Sequence, residues 1–239
     1  MNAESGTLYL IPNYLGFVSP NRVFPPYNTQ IIATLRYFIV ENEKNARRLI
    51  KSLVPEKNID ELVFFVLNKH TASSDVEHFF DPLMHGESIG LLSDAGLPAV
   101  ADPGSQVIFR AHQLGIRVEP LVGPSSVFLA LMASGLNGQS FTFHGYLPIN
   151  KTQLVRRLRQ MEKDAYRSGQ TQIFIETPYR NHKMFDTLLR TLSPHTRLCV
   201  ATDLTHPKGF VYTRRIDDWN QMEPPNFHKR PSIFLFAAP

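Results

Sequence analysis

Cysteine is nearly missing from this chain: Cys199, set in an apolar run, is the one thiol in 239 residues. A disulfide framework is therefore excluded, and a reducing compartment is the simplest setting. A lone cysteine in such a run reads as a small buried apolar group rather than a nucleophile. No apolar run is long enough to span a bilayer, and no basic-then-apolar segment opens the chain. Those absences predict a cytoplasmic protein without membrane association. Neither an internal repeat nor a low-complexity tract is visible. Excess charge of one sign is small as well: 25 basic and 21 acidic residues give a formal net charge of +4, which permits a polyanionic partner without demanding one.

The chain is long enough for one large or two small domains with real cores. In its first half, apolar runs of strand length alternate with stretches of helical spacing. Thr7 to Pro12, Tyr37 to Val40, Leu62 to Leu67, Ile89 to Leu92 and Ile116 to Leu121 read as strands. Gln30 to Leu35, Glu43 to Leu53, Val76 to His85 and Gln106 to Gln113 read as helices. Asn13 to Pro26 and Asn68 to Ser74 read as loops. This alternation predicts an α/β fold with a mostly parallel sheet covered on both faces.

The densest turn chemistry lies between the fourth strand and the next helix: Ser93-Asp94-Ala95-Gly96-Leu97-Pro98-Ala99-Val100-Ala101-Asp102-Pro103-Gly104. Two glycines free the backbone, two prolines stiffen it, and two aspartates add short acceptors. A strand-loop-helix junction of this kind predicts a ligand-binding loop at the carboxyl edge of the sheet. A second junction, Gly123-Pro124-Ser125-Ser126, opens an apolar helix over Val127–Ser134 that is expected to be buried. Its first amides suit a carboxylate or a phosphate.

Asn137-Gly138-Gln139 is the expected boundary, giving domains at 1–136 and 137–239. Beyond it, Phe141 to Phe143, Gln172 to Thr177, Arg197 to Ala201 and Ser232 to Phe236 read as strands, and Gly209 to Thr213 is able to pair with the third of them. Lys151 to Lys163 reads as an amphipathic helix whose Lys151, Arg156, Arg157, Arg159 and Lys163 lie off the apolar stripe. A solvated face and an RNA-phosphate surface both account for those bases.

Taken in order, these segments resemble the tetrapyrrole methylase superfamily, the class III S-adenosylmethionine-dependent methyltransferases. Within it the chain is most similar to the ribosomal RNA small subunit methyltransferase I family, which methylates a cytidine 2′-hydroxyl of 16S rRNA. The resemblance is carried by the Ser93–Gly104 loop, by Gly123-Pro124-Ser125-Ser126 with its helix, by Phe141 to Pro148, and by Glu176-Thr177-Pro178-Tyr179-Arg180, similar to the family's Glu-Ser-Pro-His-Arg. It implies two α/β domains with a cofactor cleft between them, S-adenosyl-L-methionine as cofactor, a homodimer and no metal. It places cofactor contacts on Pro12, Ser93, Asp94, Ala95, Gly96, Leu97, Val100, Ser125, Ser126, Ile175, Asp203 and Leu204. Some positions depart from the family pattern. Glu41-Asn42-Glu43-Lys44 stands where Glu-Asp-Thr-Arg is usual, Thr202-Asp203-Leu204-Thr205-His206 where Arg-Glu-Leu-Thr-Lys is usual, and Ile11-Pro12-Asn13-Tyr14-Leu15-Gly16 where Ala-Thr-Pro-Ile-Gly-Asn is usual.

A sulfonium methyl is already electrophilic, so catalysis is mainly positioning. A ribose hydroxyl gains from a nearby base. Glu41 and Glu176, each at the carboxyl end of a strand, are the candidate catalytic acids; ordering a loop or pairing with Arg180 is the competing role. Three readings follow: 2′-O-methylation of 16S rRNA, with rRNA or the ribosomal small subunit as partner; methylation of a small molecule or protein; and a non-catalytic cofactor-binding paralogue.

Overall fold

The structure, a computed structural model, describes residues 5–16, 18–68, 71 and 73–239. The contacts divide the chain into two compact units, Met1–Ser125 and Ser126–Pro239.

The first unit runs β1 (Thr7–Ile11), α1 (Pro26–Thr34), β2 (Tyr37–Val40), α2 (Glu43–Leu53), β3 (Val63–Val66), α3 (Ser73–His78), α4 (Asp81–Met84), β4 (Ile89–Leu92), α5 (Ser105–Gln113) and β5 (Arg117–Pro120). Among the described residues its five strands form one parallel sheet in the order β3-β2-β4-β1-β5. Alternation along each strand feeds two cores. Phe38 and Val40 pack with Leu49, Ile50 and Leu53 of α2 on one face. Ile39, Ile89 and Leu91 pack with Phe79, Leu83, Val107 and Ala111 on the other. The chain leaves β1 and β2 toward the β3 side but leaves β4 toward β5. Connections that diverge beside a strand open a crevice at its carboxyl end, where ligands of open α/β sheets bind. The loop after β4 occupies that place.

Two expectations shift. The helix expected from Gln30 begins at Pro26, with Pro25 as its N-cap, because proline is preorganised for a first turn. The single helix expected over 76–85 is two short ones, α3 and α4, interrupted at Phe79 and Phe80 just before Pro82. Proline suits the start of a new helix and not the interior of an old one. Residues 69, 70 and 72 of the expected polar loop lie outside the described residues.

The second unit runs α6 (Ser126–Ser134), β6 (Phe141–Tyr146), α7 (Lys151–Ser168), β7 (Thr171–Glu176), α8 (Asn181–Thr191), β8 (Arg197–Thr202), β9 (Phe210–Arg215), α9 (Ile216–Trp219) and β10 (Ser232–Ala237). Its sheet has the order β6-β7-β10-β8-β9, with β6 parallel to β7 and the remaining pairs antiparallel. Phe174, Phe234 and Phe236 meet α7 and α8 on one face. Ile173, Cys199, Ile233 and Leu235 meet α6 on the other. Because Val127, Ala130 and Leu131 join that second core, the division falls after Ser125, upstream of the boundary at Asn137 read from the sequence. The helix is also not buried all round: Phe128 and Met132 are 57% and 79% exposed. An apolar composition alone did not reveal which side faces the sheet.

Candidate active site

The loop after β4 is tied to its neighbours by specific bonds. Asn13, two residues past the end of β1, is buried. Its Nδ2 donates to the Ser93 and Asp94 carbonyls at 3.0 and 3.1 Å. Its own N–H donates to the Gly96 carbonyl at 2.8 Å, forming an isolated β-bridge. From the other side, Glu41 at the end of β2 accepts the Asp94 N–H at 3.0 Å through Oε1, and Asn45 Nδ2 of α2 donates to Asp94 Oδ1 at 3.2 Å. The first half of the loop is thus held between the ends of β1 and β2.

Asp102 organises the second half. Its Oδ1 accepts the N–H of Ala99 at 2.8 Å and that of Gly104 at 2.7 Å. Within this staple Ala99 and Ala101 adopt φ of 64° and 65°, and Gly96 lies at 70°. Left-handed backbone at a residue with a Cβ costs about 1–2 kcal/mol. Such strain persists only where surrounding bonds over-determine it, and it clusters at ligand sites.

The Gly123 junction lies against the same loop. A Cβ on Gly123 would sit 2.3 Å from Cβ and Cγ of Pro12, so the backbone approaches Pro12 as only glycine allows. The Pro124 carbonyl lies 3.6 Å from where a Cβ on Gly96 would be. Pro12, Ser93 to Gly96 and the Gly123-Pro124 turn are therefore neighbours, and Ser125 follows directly in sequence. Beside them is an open cavity of about 500 Å³ lined by Asn13, Tyr14, Gly16, Asn45, Arg48 and Asp94, among others. Of the loop, Asp94, Ala95 and Val100 are exposed, while Ser93 and Gly96 are buried.

The electrostatics are acidic. Burial raises Glu41 above the ordinary glutamate value; the nearby Asp102 and Asp94 charges add to this, and the Asp94 N–H opposes it. Burial raises Asp102 as well, against the two N–H bonds it accepts. Only one Glu41 oxygen is occupied; the other accepts no hydrogen bond among the described residues. This donor set fits a cationic nucleoside: main-chain groups to read polar edges, and carboxylates to face positive charge.

In the second unit, Glu176 ends β7, and Asp203 and Leu204 follow β8. Register places Ser232 of β10 opposite both Glu176 and Thr202, so the two rims flank one strand end. Glu176 is buried. Its Oε1 accepts the Thr177 N–H at 2.7 Å, and Arg180 Nη2 stands 3.0 Å from Oε2, although no hydrogen bond of good geometry reaches that atom. Asp203, at φ 49°, is gripped by Arg230 Nε at 2.6 Å. Thr205 is also left-handed, at 73°. Ile175 is half-buried in β7, and Ser126 begins α6. Asn13, Asn45 and Arg230 were not singled out in the sequence. A lone asparagine after a strand was the available signal for the first; nothing local marks the other two.

No family model matches the chain. Among curated proteins, it is 30% identical over 200 residues to ribosomal RNA small subunit methyltransferase I of Xylella fastidiosa, covering 84% of this chain and 69% of that one. The chain belongs to the ribosomal RNA small subunit methyltransferase I family. The Vibrio cholerae member is 30% identical over 198 residues, 83% of this chain and 65% of that one. The Halalkalibacterium halodurans member is 32% identical over 197 residues, 82% and 64%. The chain thus spans about two thirds of the length of the family members it matches.

Solved structures extend the likeness in fold. The methyltransferase CobJ aligns with a TM-score of 0.63 at 16% identity, over 98% of this chain and 95% of that one. Uroporphyrin-III C-methyltransferase from Thermus thermophilus, complexed with S-adenosyl homocysteine, gives 0.55 at 14%, over 97% of each chain. The two α/β units of this family member are therefore of the tetrapyrrole methylase type. Where the family usually has Asp after the β2 glutamate, Asn42 here caps α2, its side chain accepting the Asn45 N–H at 3.1 Å.

Proposed function

We propose that the chain transfers a methyl group from S-adenosylmethionine to a ribose 2′-hydroxyl of 16S rRNA, acting as a homodimer. The observation that carries this reading is the β4 loop: strained, stapled by Asp102, and latched to β1 and β2 beside an open cavity at the diverging strand ends. Family membership supports the reaction class and an rRNA acceptor. Pro12, Ser93 to Leu97, Val100 and Ser125 would hold the cofactor in the first unit; Ser126, Ile175, Asp203 and Leu204 are the candidates in the second.

Bound cofactor would supply an electrophilic sulfonium methyl. The protein's part is to fix the acceptor oxygen in line, exclude water and take a proton. Glu41 is better suited than Glu176 to that last role. Its carboxyl has a free oxygen to receive a proton, and its raised pKa makes it the stronger base. Glu176 is buried against Arg180 and its own neighbour Thr177, which suits ordering the loop after β7.

The test is transfer of labelled methyl to 30S subunits and to naked 16S rRNA, with the product mapped by resistance of the methylated ribose linkage to alkaline hydrolysis. Label at one 2′-oxygen is expected. Glu41→Gln should lower turnover about 10²–10⁴-fold, the range for loss of a general base. Uptake of S-adenosylhomocysteine without label in either RNA would refute the proposed acceptor.

A further inference from the structure

Arg156, Arg159, Lys163 and Arg167 are exposed on α7, and none has an acidic, hydrogen-bonding or aromatic partner among the described residues. Several arginines elsewhere are engaged: Arg47, Arg110, Arg117, Arg215 and Arg230 each pair with a carboxylate. At 100° per residue the four fall within a stripe about 80° wide and about 16 Å long. The helix's own acids do not neutralise it. Glu162 turns to the Ser193 N–H and the Thr196 hydroxyl, and Asp164 accepts from Gln160. Like charges at this spacing repel, so the fold carries a cost with no internal compensation. Tyr166, 50% exposed, lies one position from Arg167 and two turns from Arg159. The opposite face, Leu154, Leu158, Met161 and Ala165, is buried, so the stripe is not needed for packing.

We infer that this stripe binds the RNA backbone, with Tyr166 offering a ring on which an unpaired base stacks. Four uncompensated cations in a row match a polyanion, and an aromatic beside them suits single-stranded or irregular RNA rather than a smooth duplex. Arg157 is not part of it, since its guanidinium is bonded to His144 Nδ1 at 2.9 Å. The inference rests on the proposed RNA acceptor but concerns binding, so it is tested without cofactor.

The variant R156Q/R159Q/K163Q/R167Q is compared with wild type and with R22Q/R36Q/K51Q/K208Q, which removes the same charge from scattered exposed positions. Affinity for naked 16S rRNA is measured against salt, with circular dichroism and melting as checks of folding. The stripe variant should bind at least about 100-fold more weakly at 0.1 M salt. Its log–log salt slope should flatten by about 3, at about 0.7 per phosphate contact. The scattered variant should stay within about threefold of wild type, since distant charges are screened. If the stripe variant does not fold, R159Q/K163Q should give about half the change in slope. Coincident slopes for the two fourfold variants overturn the inference. So does a wild type that binds an acidic ribosomal protein but not RNA. A wild type that binds rRNA through the stripe yet transfers no methyl leaves this surface standing and removes only the acceptor reading.

Discussion

A single carboxylate oxygen decides the shape of the β4 loop. Asp102 Oδ1 takes two N–H bonds, and bonds to a charged acceptor contribute about 1.5–3 kcal/mol each. Two left-handed alanines cost about 1–2 kcal/mol each. The bonds win by a small margin, so removing the acceptor lets the strain relax the loop. Asp102→Ala should lower the melting temperature by about 4–8 °C, the equivalent of about 2 kcal/mol for a chain of this length. It should weaken S-adenosylhomocysteine uptake at least about tenfold by calorimetry, with Asp102→Asn in between. Unchanged uptake with a lowered melting temperature would make the staple structural only. Cys199 is the opposite kind of residue. Burial pushes its thiol up to about 11, so a maleimide should leave it unmodified in the native protein for hours and label it fully in denaturant.

Elements set how closely these loops approach. The Gly123 turn rides on Pro12, and a methyl there meets ring carbons at 2.3 Å that belong to a rigid proline. Gly123→Ala should therefore cost about 1–3 kcal/mol of stability, as overpacking does. It should also displace the Ser125 end from the loop after β4, weakening cofactor uptake more than the stability loss alone would; a melt and a titration on the same sample check both. How far such features are legible in sequence depends on how many residues signal them. The β4 loop announced itself because glycine, proline and aspartate recur within a dozen positions, and the strands because apolar runs alternate with helical spacing. The latch by Asn13 did not, since one asparagine after Pro12 reads as an ordinary turn until its partner 80 residues away is known. Glu176 and Arg180 were visible as a possible pair because they lie close in sequence, whereas Arg230 reaches Asp203 only through the fold. The exposed side of α6 was hidden because a helix apolar all round carries no periodic marker.

At the scale of the whole molecule, pH acts through groups whose protons are held differently in the folded and unfolded chain. Glu41 and Asp102 sit above the ordinary carboxyl range, chiefly through burial. Burial also pushes His144 below the ordinary histidine value, aided by Arg157 and opposed by the bond with Gln172. The signs are opposite. A carboxyl raised in the folded state holds its proton more tightly there, so its contribution is full below about pH 4 and is lost as pH rises through the folded value. A histidine lowered in the folded state contributes fully above about pH 6.5 and loses that as pH falls toward its folded value. At neutral pH the ionised Glu41 is therefore a net cost to the empty protein. Glu41→Gln keeps an oxygen for the Asp94 N–H and removes the like charge. It should melt above wild type at pH 7 by no more than about 3 °C, since partial exposure screens the effect. The advantage should vanish toward pH 4. His144→Gln should instead flatten the loss of stability below pH 6.5. Saturating S-adenosylmethionine, whose sulfonium is positive, should reverse the order of wild type and Glu41→Gln at pH 7, because the charged carboxylate then has a partner. Calorimetric melts between about pH 4 and 8, with and without cofactor, separate these terms. An advantage for Glu41→Gln that is independent of pH and unmoved by the cofactor would detach Glu41 from the acidic site.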